Sequence, residues 1–384
     1  MNINKLLKTA TLCGASDLHI VKGMPPIVRI DGELLPLDMV AGGDLLGEDG
    51  AEKISANIKS LLADGKFLKD ISYADYSDAK LVTDNALEKM VNDMLTKEQK
   101  TRFLAEKDLD FGYSVEDRRY RVNLSHERDS FRLSARVISD IIPTLDNINM
   151  PDVIYNLLSM NQGLVLLTGP TGCGKSTTLA SMVEYLNKNF NYNIITLEDP
   201  IEYLFKSDKS VIAQRQLGFD MLTFGDGLKH ILRQDPDVVM VGEMRDLETI
   251  ATAITLAETG HLVLATLHTY SAAQTVDRMI DIFPPHQQGQ IRSQLSMILA
   301  AVISQRLLPK AGGGRVAARE IMIRNSAVAN LIREQKTSQL KSVIETSYKD
   351  GMRTLSRSIK ELYDAELITR ETAELALNDP AVGN

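Results

Sequence analysis

Tryptophan is absent from this chain, and cysteine nearly so, with Cys13 and Cys173 the only two thiols. Two cysteines exclude a disulfide scaffold and any metal site built from four thiolates of one chain. The 43 Lys plus Arg stand against 51 Asp plus Glu, a net charge of −8. That is the wrong sign for a protein held mainly by phosphate backbones, and a strand-tracking groove also loses its best stacking residue. No nucleic-acid partner is expected. Long apolar runs are missing too: the longest, 297–303 and 163–167, fall far short of the roughly 20 residues that a membrane helix needs. Lys5 and Lys8 interrupt the apolar residues of the first twelve positions, so that stretch reads as an amphipathic helix, with Cys13 buried behind it, and not as a signal peptide. No repeat or low-complexity tract occurs, and a cytoplasmic protein without direct membrane insertion is the expectation.

What is present is ordinary for globular domains: 384 residues, 44% apolar and 24% charged, enough for two or three domains with sizeable cores. Strand patterns at 17–21, 27–30 and 33–35, with Asp31-Gly32 as a hairpin turn, open an α+β region. Segment 40–80 reads as a helical insertion flanked by loops. Apolar spacing from Leu87 to Leu104 predicts one helix, followed by strands at 109–115, 120–125 and 131–138. Pro143 and Pro151 mark a linker within 139–151, so the domains are set at 1–142 and 143–384. Beyond the linker, strands at 163–168, 193–197, 238–241 and 262–267 alternate with helices, an α/β pattern for a parallel sheet covered on both faces. From Asn325 onward the chain reads as wholly helical.

Gly169-Pro170-Thr171-Gly172-Cys173-Gly174-Lys175-Ser176 fits the phosphate-loop pattern between a predicted strand and a helix that begins near Thr177. Glycines let the loop turn its N–H groups toward phosphates, Lys175 neutralises charge, and Ser176 offers a hydroxyl to Mg²⁺. ATP or GTP is therefore the expected ligand. Two more segments bring carboxylates to strand ends, where ligands sit in such sheets: Glu198-Asp199-Pro200-Ile201-Glu202, and Gly242-Glu243 after Val238–Val241. Gly242 stands where an Asp often closes the strand, which leaves Glu243 as the carboxylate toward the metal. His261 and His268 are seven apart around a strand, unsuited to a paired metal site; both are candidate catalytic residues, and His268 with Thr269 is a candidate γ-phosphate sensor. Cys173 lies beside a helix start and Lys175, which is expected to lower its pKa and make it alkylatable unless ATP covers it.

Together the loop 169–176, Glu198 to Glu202, Gly242-Glu243-Met244-Arg245-Asp246 and Glu258-Thr259-Gly260-His261 through His268-Thr269 resemble the secretion ATPases of type IV pilus and type II secretion systems. They correspond to that family's Walker A, Asp box, Walker B and His box. Gly312-Gly313-Gly314-Arg315 and Ala327 through Glu334 are most similar to the PilT-type retraction motors, although Ala329 stands where Arg is usual and 41–78 is longer than is typical. The extension and secretion members usually carry a four-cysteine zinc motif, which this chain cannot build. The resemblance implies a PAS-like α+β N-terminal domain, a RecA-like ATPase domain with a helical C-terminus, and a homohexamer. It also implies a cytoplasmic station, peripheral to the inner membrane, against a pilus platform protein.

Six arginines, Arg118, Arg119, Arg121, Arg128, Arg132 and Arg136, form a basic island in this acidic chain. Strand alternation sends Arg119, Arg121 and Asn123 to one face. By resemblance, Arg121 and Arg136 match the family arginines that reach the γ-phosphate. The expected motor closes its linker on ATP, with Glu198 polarising water and Glu243 holding Mg²⁺ through its hydration shell. Alternatives are a PilU-like accessory motor, a pilus-assembly or type II secretion ATPase, and a nucleotide-gated assembly module without hydrolysis.

Overall fold

The computed structural model describes residues 1–30, 33–37, 81–116, 118–138 and 141–379. The expected Asp31-Gly32 turn and the insertion at 40–80 lie outside the described residues. Contacts divide the chain into two units, Met1–Asp140 and Ile141–Asn384.

The first unit is an antiparallel sheet of β1 (Asp17–Val21), β2 (Ile27–Ile30), β3 (Glu33–Pro36), β4 (Asp108–Val115), β5 (Arg118–Glu127) and β6 (Ser130–Ile138), in the order β3-β2-β1-β6-β5-β4. Alternation decides its faces. Leu18, Ile20, Tyr120, Val122, Leu124, Leu133 and Ala135 point into one core, where helix Ile3–Leu12 adds Ile3, Leu6, Leu7 and Ala10 at helical spacing. Cys13 is buried in the same core, and that burial pushes its thiol up to about 11. The single helix expected over 87–104 is two, Asp84–Met94 and Lys97–Glu106. Thr96 breaks it: its hydroxyl accepts from Gln99 N–H while the Gln99 side chain accepts from Thr96 N–H, a reciprocal cap that starts a new helix.

The second unit carries a seven-stranded sheet of β7 (Gly163–Thr168), β8 (Asn193–Glu198), β9 (Val211–Gln216), β10 (Val238–Val241), β11 (Leu262–Leu267), β12 (Leu299–Pro309) and β13 (Arg315–Ile323). Its order is β13-β12-β7-β11-β10-β8-β9, parallel except for the β12–β13 hairpin. Successive residues of the central strands feed opposite cores. Leu164 and Leu166 face the helices Phe224–Ile231, Leu247–Glu258, Ala272–Asp281 and Pro285–Ile298, whereas Val165 and Leu167 face Val153–Leu158 and Lys175–Asn189. This explains why β7, β10 and β11 are buried throughout and almost wholly apolar. Helices follow β13, as expected from Asn325 onward, with Leu355–Asp364 and Arg370–Leu377 packing on β12 and β13 through a core of their own.

Three strands escaped the sequence reading. β9 alternates with polar Gln214 and Gln216, β12 continues directly from a helix without a breaking residue, and β13 carries Arg319 and Glu320 in mid-strand. Among the described residues, no helix is long and apolar enough to cross a membrane.

Candidate nucleotide site

Register gathers the site. Leu267 pairs with Thr168, and Val241 with both Leu197 and Ala265, so β7, β8, β10 and β11 end level at one edge. Gly169, Gly242-Glu243 and His268 follow those ends directly, and Glu198 is the last residue of β8. The loop from Gly169 runs into helix Lys175–Asn189, whose N-cap, Gly174, has a φ of 86°. Gly169 has no room for a side chain: with φ at 142°, a Cβ there would lie 2.3 Å from the Gln305 carbonyl oxygen and 2.6 Å from Cys173 Sγ. Lys175 Nζ donates to the Gly169 and Pro170 carbonyls at 2.7 and 3.1 Å. Burial pulls the lysine's pKa down, with Cys173 and Glu243 pulling the other way. Ser176 is exposed on the first turn of the helix, and Thr177 shares a 2.9 Å hydrogen bond with the Tyr203 hydroxyl.

The two carboxylates differ. Glu198 is only 5% exposed, and its Oε1 accepts from Thr196 Oγ1 at 2.6 Å and Gln214 Nε2 at 2.9 Å. Burial pushes its pKa up against those donors. Glu243 is half-buried between Arg245, 2.8 Å away, and His268 Nε2, 3.1 Å away. Burial alone raises its pKa, but the two partners outweigh it and hold the carboxyl below its usual range. Gly242 fits because its N–H donates to Leu197 O at 2.7 Å, and a Cβ would press within 3.1 Å of that same oxygen.

His261 is not brought into this cluster. It precedes β11, at the opposite edge of the sheet, about 20 Å along the strand at ~3.3 Å per residue. Its Nδ1 bonds the Leu256 carbonyl at 3.0 Å, at the end of helix Leu247–Glu258. The cysteine expectation is corrected as well: Cys173 is buried under the loop, and desolvation raises its thiol pKa despite Lys175. Arg121 and Arg136 belong to the N-terminal unit, where they pair directly across β5 and β6. Two like charges there are offset by Asp17, 2.9 Å from Arg136, and Asp110, 3.8 Å from Arg121.

Four site residues were not legible in advance. Arg245 stands beside Glu243 in the motif, while Gln214, Gln305 and Arg319 sit on the unread strands β9, β12 and β13. A cleft of about 510 Å³ opens beside the loop, lined by Pro170 to Cys173, Tyr270, Arg306 to Leu308, Arg315, Ala376 and Asp379. Among the described residues no three His, Cys, Asp or Glu side chains converge as a metal cage. A Mg²⁺ at this edge fits the donor set nonetheless, because such an ion takes one or two protein oxygens and completes its shell with phosphate and water. Ser176 and Glu243 are the residues that would hold it.

The family model described as "Type II/IV secretion system protein" matches residues 145–375. The type IV pilus retraction ATPase PilT of Pseudomonas aeruginosa is 39% identical over 374 residues, which cover 97% of each chain. The type IV pilus ATPase PilU of the same organism is 34% identical over 97% of this chain and 88% of its own. A crystal structure of the pilus retraction motor PilT with bound ADP superposes with a TM-score of 0.82 at 41% identity, covering 99% of this chain and 98% of that one.

Proposed function

Because the chain belongs to the type II/IV secretion system protein family and is a PilT-type ATPase within it, we propose that it is the hexameric motor that retracts and disassembles a type IV pilus. The observation that carries this reading is the gathering of the phosphate loop and the two oppositely tuned carboxylates at one sheet edge, in a chain aligned with PilT over 97% of its length. Loop N–H groups and Lys175 bind the phosphates, and the cleft toward Tyr270 takes the nucleoside. Mg²⁺, when bound, neutralises phosphate charge. Ser176 and Glu243, the latter with its pKa held down by Arg245 and His268, would hold the ion, Glu243 through the ion's hydration shell. Glu198, whose burial makes it the more basic carboxylate, polarises the attacking water and accepts its proton. His268 relays the presence of the γ-phosphate to Glu243, its hydrogen-bond partner.

Arg121 and Arg136 of the PAS-like N-terminal unit supply fixed positive charge to the γ-phosphate, an effect worth about 10³ to 10⁵ in rate in other NTPases. The linker 139–151 acts as the hinge. The motor works in the cytoplasm, peripheral to the inner membrane, against the pilus platform protein. Two experiments test the reading. The purified full chain should release phosphate from MgATP without any acceptor, and deletion should leave cells with excess surface pili that cannot twitch. An unchanged pilus count would favour a PilU-like accessory motor, the reading supported by Ala329 in place of the usual Arg and by the 34% identity with PilU.

A further inference from the structure

Beneath the phosphate loop lies a buried polar chain that the catalytic reading does not use. Gln305 of β12 is 2% exposed, and its Nε2 donates to the Cys173 carbonyl at 2.6 Å. Its Oε1 accepts from Thr178 Oγ1 and from Arg319 Nε, each at 3.0 Å. Arg319 of β13 is 3% exposed, and its other nitrogens donate to the Asn149 and Ile148 carbonyls at 3.1 and 2.9 Å. Those two carbonyls sit in the segment that leads by chain from β6 into the second unit. Asn149 adopts a φ of 52°.

Each link has a fixed direction. An arginine Nε–H can only donate, so Arg319 holds the oxygen of the Gln305 amide toward itself and turns the NH₂ toward Cys173. The 173–174 peptide is planar, so anchoring its C=O below the loop aims the Gly174 N–H to the opposite side, the side that the nucleotide reading assigns to phosphate. Gly174 also rests on this amide: a Cβ there would come within 3.0 Å of Gln305 Nε2. The guanidinium makes its hydrogen bonds to neutral oxygens, and burial pushes its pKa down to about 10. Among the described residues these hydrogen bonds give the guanidinium neutral partners only, and a buried charge held that way is costly, which a purely structural packing role does not require.

We propose that Gln305 and Arg319 are positioning residues that set the phosphate-loop N–H groups and couple nucleotide occupancy to the conformation of residues 144–151. The inference rests on the nucleotide reading above, and ADP binding by the parent chain tests that reading separately. Gln305→Glu is the sharpest variant. It keeps size and shape and gives Arg319 a counter-ion, so the melting midpoint should not fall. It also replaces the donor to Cys173 O by a carboxylate, so ADP affinity should drop about 10-fold, the size expected for a lost buried hydrogen bond. Arg319→Lys keeps the charge but cannot serve the amide and both carbonyls with one ammonium. It should weaken ADP about 3-fold and abolish ADP-dependent protection of 144–151 from hydrogen exchange while protection of 169–176 persists at saturation. Native ADP affinity in folded Gln305→Glu would overturn the positioning role. So would exchange at 144–151 in the parent chain that does not respond to saturating ADP, a measurement that needs no variant.

Discussion

The ends of β8 and β10 each present one glutamate to the same edge and treat it in opposite ways. Glu198 is sunk among neutral donors, Thr196 and Gln214, and burial raises its pKa. Glu243 sits nearer solvent; burial raises its pKa as well, but Arg245 and His268 reverse the sign. A pair of carboxylates pushed apart by their surroundings can divide proton transfer from charge stabilisation. The same residue type at two neighbouring strand ends thus has two chemistries, decided by Thr196 and Gln214 around one carboxylate and by Arg245 and His268 around the other.

The largest effect should come from removing the carboxylate whose pKa is held down. Glu243→Gln is expected to cut phosphate release by more than about 10³-fold while ADP binding stays within about 3-fold. Near-normal turnover would remove the metal-side role. Glu198→Gln should cost about 10²- to 10³-fold, within the range for a lost general base. In the parent enzyme the acidic limb of the kcat profile should lie above the ordinary carboxylate range and move further up in Gln214→Leu, which loses one donor to the ionised form. A limb unmoved by Gln214→Leu would mean that another group titrates there.

Thermal melting sharpens the contrast with less leverage. A raised folded-state pKa contributes stability below the ordinary carboxylate range and loses it as pH rises through the raised value. Glu198→Gln should therefore melt higher than the parent at neutral pH, with the gap closing under acid. A depressed pKa does the reverse, so Glu243→Gln should melt lower, by no more than about 1 kcal/mol because Arg245 and His268 are substantially exposed. Shifts of one sign in both variants would dissolve the distinction. The smallest effect concerns Cys173: iodoacetamide should modify it slowly with or without ADP, since burial disfavours the thiolate. Rapid alkylation that ADP blocks would restore the exposed thiol expected from its neighbours in sequence.

Legibility followed locality. The loop 169–176 and the strands β7, β10 and β11 were readable because glycine spacing and unbroken apolar runs are local signals of a strand buried on both faces. The helix break at Thr96 was local too, but its signature, Thr-x-x-Gln, lay inside a continuous apolar spacing that masked it. β12 and β13 were missed because their polar residues, Gln305 and Arg319, are paired with each other across the hairpin and with Thr178 and the Ile148–Asn149 carbonyls, which lie 127 to 171 positions away. His261 misled for the same reason. It is close to His268 in sequence, yet a strand between two residues separates them by its full length.

The sequence alone determined the phosphate loop, the two acidic strand ends, the arginine island and the family to which these motifs belong. It could do so because each depends on residues within one loop or one strand. Only the tertiary structure decided which carboxylate has its pKa pushed up and which has it held down, that Cys173 is shielded and that Gln305 and Arg319 support the loop from below. Desolvation and charge pairing are sums over neighbours brought together by strand register, and a sum of that kind is not contained in any one segment.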